Sequence, residues 1–224
     1  MRKCRFQSGE RNAVRNFSVV LLGILFAVPL LAQTPADQVW NELAAGNRRF
    51  ISGSSQARNL VARRKELANT QNPRVAVLSC ADSRVPPELV FDEGLGDLFV
   101  VRSAGESADP LSVGSLEYAV EHLGTVLIVV MGHQRCGAVK AACSGGKAGS
   151  PNLDAVVRPI VASCTRVDKS KPETFDLAAR DHVHRVAQEL LAKSDILRSA
   201  VREGKLTIVE AYYSVDTGEV TRLR

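Results

Sequence analysis

The chain has 224 residues, 45% apolar and only 5% aromatic, with 29 Lys and Arg against 24 Asp and Glu. That length suits one domain behind a leader, with a core filled by Val, Leu, Ile and Ala. The basic excess is concentrated at the start. Residues 1–32 carry five of the 29 basic residues and one of the 24 acidic ones, leaving 24 against 23. A near-neutral remainder excludes nucleic-acid binding by charge alone, and the lack of long polar runs excludes disorder away from the ends.

Residues 1–32 read as a signal peptide. Arg2, Lys3, Arg5, Arg11 and Arg15 precede an apolar run from Ser18 to Leu31, and Ala32 with Gln33 offers a cut. The run holds about 14 residues, short of the ~20 that span a bilayer. Export to the periplasm is therefore expected. An uncleaved leader is the alternative and the sole membrane attachment foreseen. Cys4 precedes the apolar run and is not placed for lipid anchoring.

Residues 33–224 form a single expected domain. Ala36 to about Arg49 has helical periodicity, with Trp40, Leu43 and Ala44 on one face. A second helix is expected over Leu60–Asn69, and the two make an N-terminal helical arm. Three apolar runs follow with strand character: Val75–Leu78, Leu98–Val101 and Val126–Met131. Between the last two, a helix over Leu111–Leu123 starts at Asp109 and Pro110 and stops at Gly124. Helices near Ala178–Ala192 and Ile196–Arg202 lead to a fourth strand, Leu206–Ala211. Continuous apolar strands alternating with helices predict an α/β fold with a mostly parallel central sheet flanked by helices. Ligands in such sheets sit at the carboxyl ends of strands.

The chemistry-bearing residues fall at that rim. Cys80 ends the first strand, inside Cys80-Ala81-Asp82-Ser83-Arg84, and His133 follows the third, inside Gly132-His133-Gln134-Arg135-Cys136-Gly137. A catalytic zinc site uses three thiolate or imidazole ligands and one open position, and Cys80, His133 and Cys136 suit that need. Spacing alone leaves two alternatives open: a buried cysteine with a satisfied core histidine, or a Cys80–Cys136 disulfide. Asp82 and Arg84 read either as a turn ion pair or as a carboxylate held ionised to accept a hydrogen bond from the attacking water. Cys143 and Cys164 are read as structural free thiols, with a pairing between them as the alternative. His182 and His184 are read as solvated helix residues.

At these residues the chain resembles the β-class carbonic anhydrases, of the exported, open-site type. The resemblance rests on C-A-D-S-R-V-P at Cys80–Pro86, F-V-V-R at Phe99–Arg102, and S-L-E-Y-A-V-E-H-L-G at Ser115–Gly124. It extends over G-H-x-x-C-G-A-V at Gly132–Val139, I-V-E-A-Y-Y at Ile208–Tyr213 and G-N-R-R-F at Gly46–Phe50, nearly the whole of residues 33–224.

The resemblance implies one Zn2+ per chain on Cys80, His133 and Cys136, and an Asp82/Arg84 catalytic pair. It implies substrate contacts from Gln71, Phe99, Ala104 and Tyr118, and a proton relay at His122, where a helix end favours histidine in any case. The implied reaction is reversible hydration of CO2 to bicarbonate and a proton. Two thiolates would neutralise the dication, so activity is expected to rise toward alkaline pH. A homodimer or homotetramer is implied, with the N-terminal helices clasping a neighbour and Gln71 serving the neighbour's site. Val77 stands where bicarbonate-regulated members carry tryptophan, so no such switch is expected. Glu106 departs from the family, which often has an amide there, and puts local loop contacts in doubt. Two rival functions share these residues: hydrolysis of carbonyl sulfide or carbon disulfide, and non-catalytic zinc binding or redox cycling. The latter needs none of Gln71, Asp82 or Arg84.

Overall fold

Strand β1, Val75–Cys80, is the hinge of the architecture. All six of its residues are buried, as a strand covered on both faces requires. It lies between β2, Leu98–Ser103, and β3, Leu127–His133, and both pair with it in parallel. Strand β4, Thr207–Tyr213, extends the parallel sheet beyond β3, and β5, Val220–Arg222, closes it antiparallel. The order is β2-β1-β3-β4-β5, so β2 is an edge and most of it is half-buried. This is a computed structural model and describes residues 34–145, 149–168 and 170–223. The expected leader and Cys4 lie outside the described residues.

Successive strand residues face opposite ways, and two helical layers exploit this. Ala76 and Leu78 of β1, with Ile128 and Val130 of β3, pack under helices α4 (Pro110–Leu123), α7 (Thr174–Lys193) and α8 (Asp195–Arg202). Val75 and Val77, with Leu127, Val129 and Met131, pack on the other face against α1, Pro35–Ile51, and α3, Pro87–Val90. Helices α5 (Gly137–Cys143) and α6 (Pro151–Thr165) cover the carboxyl end of the sheet, where Cys80 and Cys136 join their apolar cluster.

The arm forms as read, with sharper bounds. Thr34 and Asp37 cap α1 reciprocally, and α2 runs Leu60–Glu66 and stops before Asn69. Asn47 of α1 is buried and pins the arm: its amide donates to the carbonyls of Val90 and Gly218, and its oxygen accepts from the Val220 amide. Arg49 and Arg58 close on the buried Asp92 carboxylate.

Two expectations are corrected. Cys143 and Cys164 are not free: they form a disulfide joining α5 to α6. Two cysteines in adjacent, packed helices sit close enough to bond, which sequence separation could not reveal. His182 and His184 are not solvated either. His182 is 1% exposed because its face of α7 lies on the sheet, and His184 is half-buried with Nδ1 2.9 Å from Glu210 Oε1.

Candidate metal centre

The parallel register sets the site. Strands β1 and β3 run side by side from Val75 opposite Leu127 to Ser79 opposite Met131, so their last residues, Cys80 and His133, emerge at one rim. From His133 the chain turns through Gln134 and Arg135 into α5, with Cys136 as the residue before its first turn. Arg135 takes left-handed backbone (φ 55°), and its amide donates to Asp176 Oδ1 at 3.0 Å. Its guanidinium and the Gln134 amide both hold Asp216. These contacts turn Cys136 back toward Cys80.

Cys80, His133 and Cys136 are each at most 4% exposed, and their donor atoms all lie within 4.8 Å of one another. The two sulfurs are 4.0 Å apart. A disulfide needs about 2.05 Å, so they are two free thiols. Two sulfurs bound tetrahedrally at about 2.3 Å from one zinc would stand ~3.8 Å apart, close to the spacing seen.

The histidine fits the same purpose. His133 Nδ1 lies 2.9 Å from the Gln134 carbonyl. A carbonyl can only accept, so Nδ1 carries the proton and Nε2 presents a bare lone pair. Nε2 is fully buried and has no hydrogen-bond partner. A buried acceptor without a partner is costly, and a cation beside the two sulfurs would satisfy it.

The hydrogen bond shared with Cys136 holds the Cys80 sulfur low, well under the ordinary thiol range, despite its burial, and the Gly105 amide adds a donor at 3.3 Å. The same contact, with burial, pushes the Cys136 thiol up. Of the two, the Cys80 sulfur is thus the readier to give up its proton, as metal binding requires.

Asp82 lies beside the triad, its Oδ2 4.0 Å from His133 Nε2. Arg84 grips it with both arms, Nε to Oδ1 at 2.9 Å and Nη2 to Oδ2 at 2.8 Å. That pairing keeps the carboxyl ionised far below the usual carboxylate range. Arg102 binds the carbonyls of Cys80 and Asp82 and so fixes the loop between them. Ala104 is exposed at this same rim, next to Gly105.

The other expected residues stand elsewhere. Gln71 lies before the amino end of β1, and Phe99 pairs in register with Ala76 near that end. From Val75 to Cys80 a strand advances about 17 Å at ~3.3 Å per residue. Gln71, Tyr118 and His122 line one cavity of about 790 Å³ that includes none of the three donors. The Tyr118 ring lies 6.3 Å from Phe99 and 5.1 Å from His122. Within one chain, Gln71, Phe99, Tyr118 and His122 therefore form a second cluster, apart from the triad. Sequence reasoning missed Asp176 and Asp216, which fix the His133–Cys136 turn from distant elements and carry no local signal. Gly105 was legible only as a glycine in a loop.

The chain matches a family model described as carbonic anhydrase over residues 75–220. It is 41% identical over 186 residues to "Carbonic anhydrase 2" of Mycobacterium tuberculosis, covering 80% of this chain and 88% of that protein. It is 37% identical over 188 residues to a carbonic anhydrase of Mycolicibacterium smegmatis, covering 81% and 90%. The fold superposes on a tetrameric β-carbonic anhydrase of Sordaria macrospora with a TM-score of 0.67, at 23% identity, over 83% of this chain and 97% of that one. A shared fold, a family match across the sheet and the rim, and two sulfurs beside an imidazole at its centre lead to one conclusion: the chain belongs to the β-carbonic anhydrases.

Proposed function

We propose that the chain is a zinc enzyme for the reversible hydration of CO2, with Cys80, His133 and Cys136 holding one zinc ion per chain. The observation that carries this is the buried triad, whose partnerless His133 Nε2 faces two thiol sulfurs. Zinc, when bound, supplies a Lewis acid that makes water nucleophilic near neutral pH. The chain's own residues do the remaining work. Asp82, held ionised by Arg84, accepts a hydrogen bond from the attacking water and orients it. Arg102 keeps the Cys80–Asp82 loop in place. Ala104 offers a small apolar wall to CO2, which gains little from charged anchors.

The site is completed by a second copy. An edge strand exposes unpaired backbone groups, and two β2 strands related by a two-fold axis would run antiparallel. Such pairing sets the amino end of one strand against the carboxyl end of its partner. Gln71, Phe99 and Tyr118 would then face the partner's metal end, with Gln71 orienting the nascent bicarbonate. We read the chain as a homodimer whose dimers pair further, in keeping with the tetrameric Sordaria relative. We read His122, exposed in the last turn of α4, as the relay that passes protons to solvent. Asp82 stays on Arg84, and Val77 is fully buried within the sheet, so the site is read as permanently open. Export through residues 1–32 to an oxidising compartment agrees with the Cys143–Cys164 disulfide.

The test pairs metal analysis with stopped-flow CO2 hydration on the purified chain. One zinc per chain and hydration lost on chelation, then regained with zinc, are expected. A folded, metal-free chain with undiminished turnover would refute the proposal.

A further inference from the structure

The segment from Ser103 to Ser107 crosses the metal centre on its way from β2 to α4. Gly105 lies in left-handed backbone (φ 62°), which aims its N–H at Cys80 Sγ. No side chain fits at that position: a Cβ would stand 2.7 Å from Ile160 Cδ1 and 2.8 Å from Ala138 Cβ.

The next residue holds the segment down. Glu106 is 1% exposed, and its backbone carbonyl lies 2.9 Å from His182 Nε2. The carbonyl accepts, so His182 is protonated on Nε2 and donates. Burial lowers the His182 pKa, which keeps the ring neutral with that single proton at ordinary pH. The Glu106 side chain is wedged against β3, with Oε1 3.1 Å from where a Cβ on Gly132 would be. The same Cβ would stand 2.5 Å from Val183 Cγ2, so helix α7 closes over this point. His182 touches none of the three metal-binding residues in these contacts; it reaches them through Glu106 and Gly105.

The geometry points to His182 as a positioning residue for the metal centre: by gripping the Glu106 carbonyl it keeps the Gly105 amide on the Cys80 sulfur, and so tunes how much charge that sulfur gives a bound cation. The inference rests on the zinc reading of the triad. An N–H donor draws electron density from a thiolate, so a cation on that sulfur stays more electrophilic. Without the donor, the sulfur is richer in charge and less well oriented.

The test compares the full chain with His182→Leu, which removes the donor, and His182→Gln, which returns one at similar reach. Folding is verified by circular dichroism and thermal unfolding. Each protein is loaded with cobalt(II), and the sulfur-to-cobalt charge-transfer band is recorded. Zinc affinity follows by chelator competition, and the pH midpoint of CO2 hydration by stopped flow. For His182→Leu the band should move to lower energy, zinc affinity should drop roughly tenfold or more, and the midpoint should move alkaline. His182→Gln should return all three toward the parent values. A folded His182→Leu protein with the parent's band and zinc affinity would overturn the inference, as would equal displacement in both variants. If His182→Leu does not fold, His182→Asn, polar but too short to reach the Glu106 carbonyl, takes its place in the same measurements. A parent chain that binds no cobalt overturns the zinc reading itself, and the inference with it.

Discussion

At the scale of single residues, the site depends on a few protonation states fixed by neighbours. His133 offers Nε2 because the Gln134 carbonyl claims the proton on Nδ1. Asp82 is ionised because Arg84 makes two short contacts to it. Since that carboxyl lies below its ordinary pKa, its charge is present above about pH 4 and is lost only on strong acidification. Asp82→Asn keeps the shape and removes the charge. CO2 hydration should fall about 100-fold, the scale of one positioned acid–base group, while zinc content stays at one per chain. Unchanged turnover in zinc-loaded Asp82→Asn would show that the pair is only a turn contact. These residues were legible in the sequence because Cys80, His133 and Cys136 end strands or begin a helix, where a parallel sheet collects ligands. The residues that orient them were not. Asp176, His182 and Asp216 act from elements far along the chain, and nothing local distinguishes them from ordinary surface or helix positions.

At the scale of elements, a segment is legible in the sequence where it carries its own boundary chemistry. Helix α4 begins at Pro110 behind the Asp109 cap and ends before Gly124, close to expectation. Strands β1 and β3 run further than their apolar runs, to Cys80 and His133, because parallel pairing continues through polar residues. Helix α6 is not legible: Pro159 lies inside it and Gly-rich chain precedes it, so its sequence reads as loop. Without α6, the proximity of Cys143 and Cys164 could not be foreseen. Their disulfide closes a loop with a sequence separation of 21 and ties α6 to the helix that Cys136 begins. Replacing both by alanine should lower unfolding stability by about 3 kcal/mol, measured by urea denaturation. An unchanged urea midpoint would mean that the helix packing alone holds this end. Glu93, between α3 and β2, lines a cavity of about 470 Å³ between α1 and the segments before β1 and β2. Burial, with the Asp97 carboxylate nearby, pushes its carboxyl up to about 7 from 4.5. A raised carboxyl pKa favours the folded state only while the group is neutral. Stability is therefore fully present below about pH 4.5 and is eroded as pH climbs toward 7. After allowance for solvent screening, Glu93→Gln should gain about 1 kcal/mol over the parent at pH 8 and nothing at pH 4. Equal stabilities at both pH values would contradict this.

At the scale of the whole molecule, the residues proposed for the site fall into two separated halves within one chain. The metal half lies at the carboxyl ends of β1 and β3, and the Gln71, Phe99 and Tyr118 half lies toward the amino end, near the β2 edge. The resemblance supplied both sets of residues from sequence, but their separation within one chain follows only from strand register. If a partner unites them, mixed oligomers of Cys80→Ser and Gln71→Ala chains should hydrate CO2 where neither variant alone does so at the parent's rate. No gain on mixing would place the whole site within one chain. A cation between the two sulfurs would satisfy the buried His133 Nε2, the one donor atom of the three left without a partner. The most direct measurement is X-ray absorption at the zinc edge on purified, active protein. The account predicts two sulfur neighbours at about 2.3 Å and two nitrogen or oxygen neighbours at about 2.0–2.1 Å. A first shell without sulfur would contradict it.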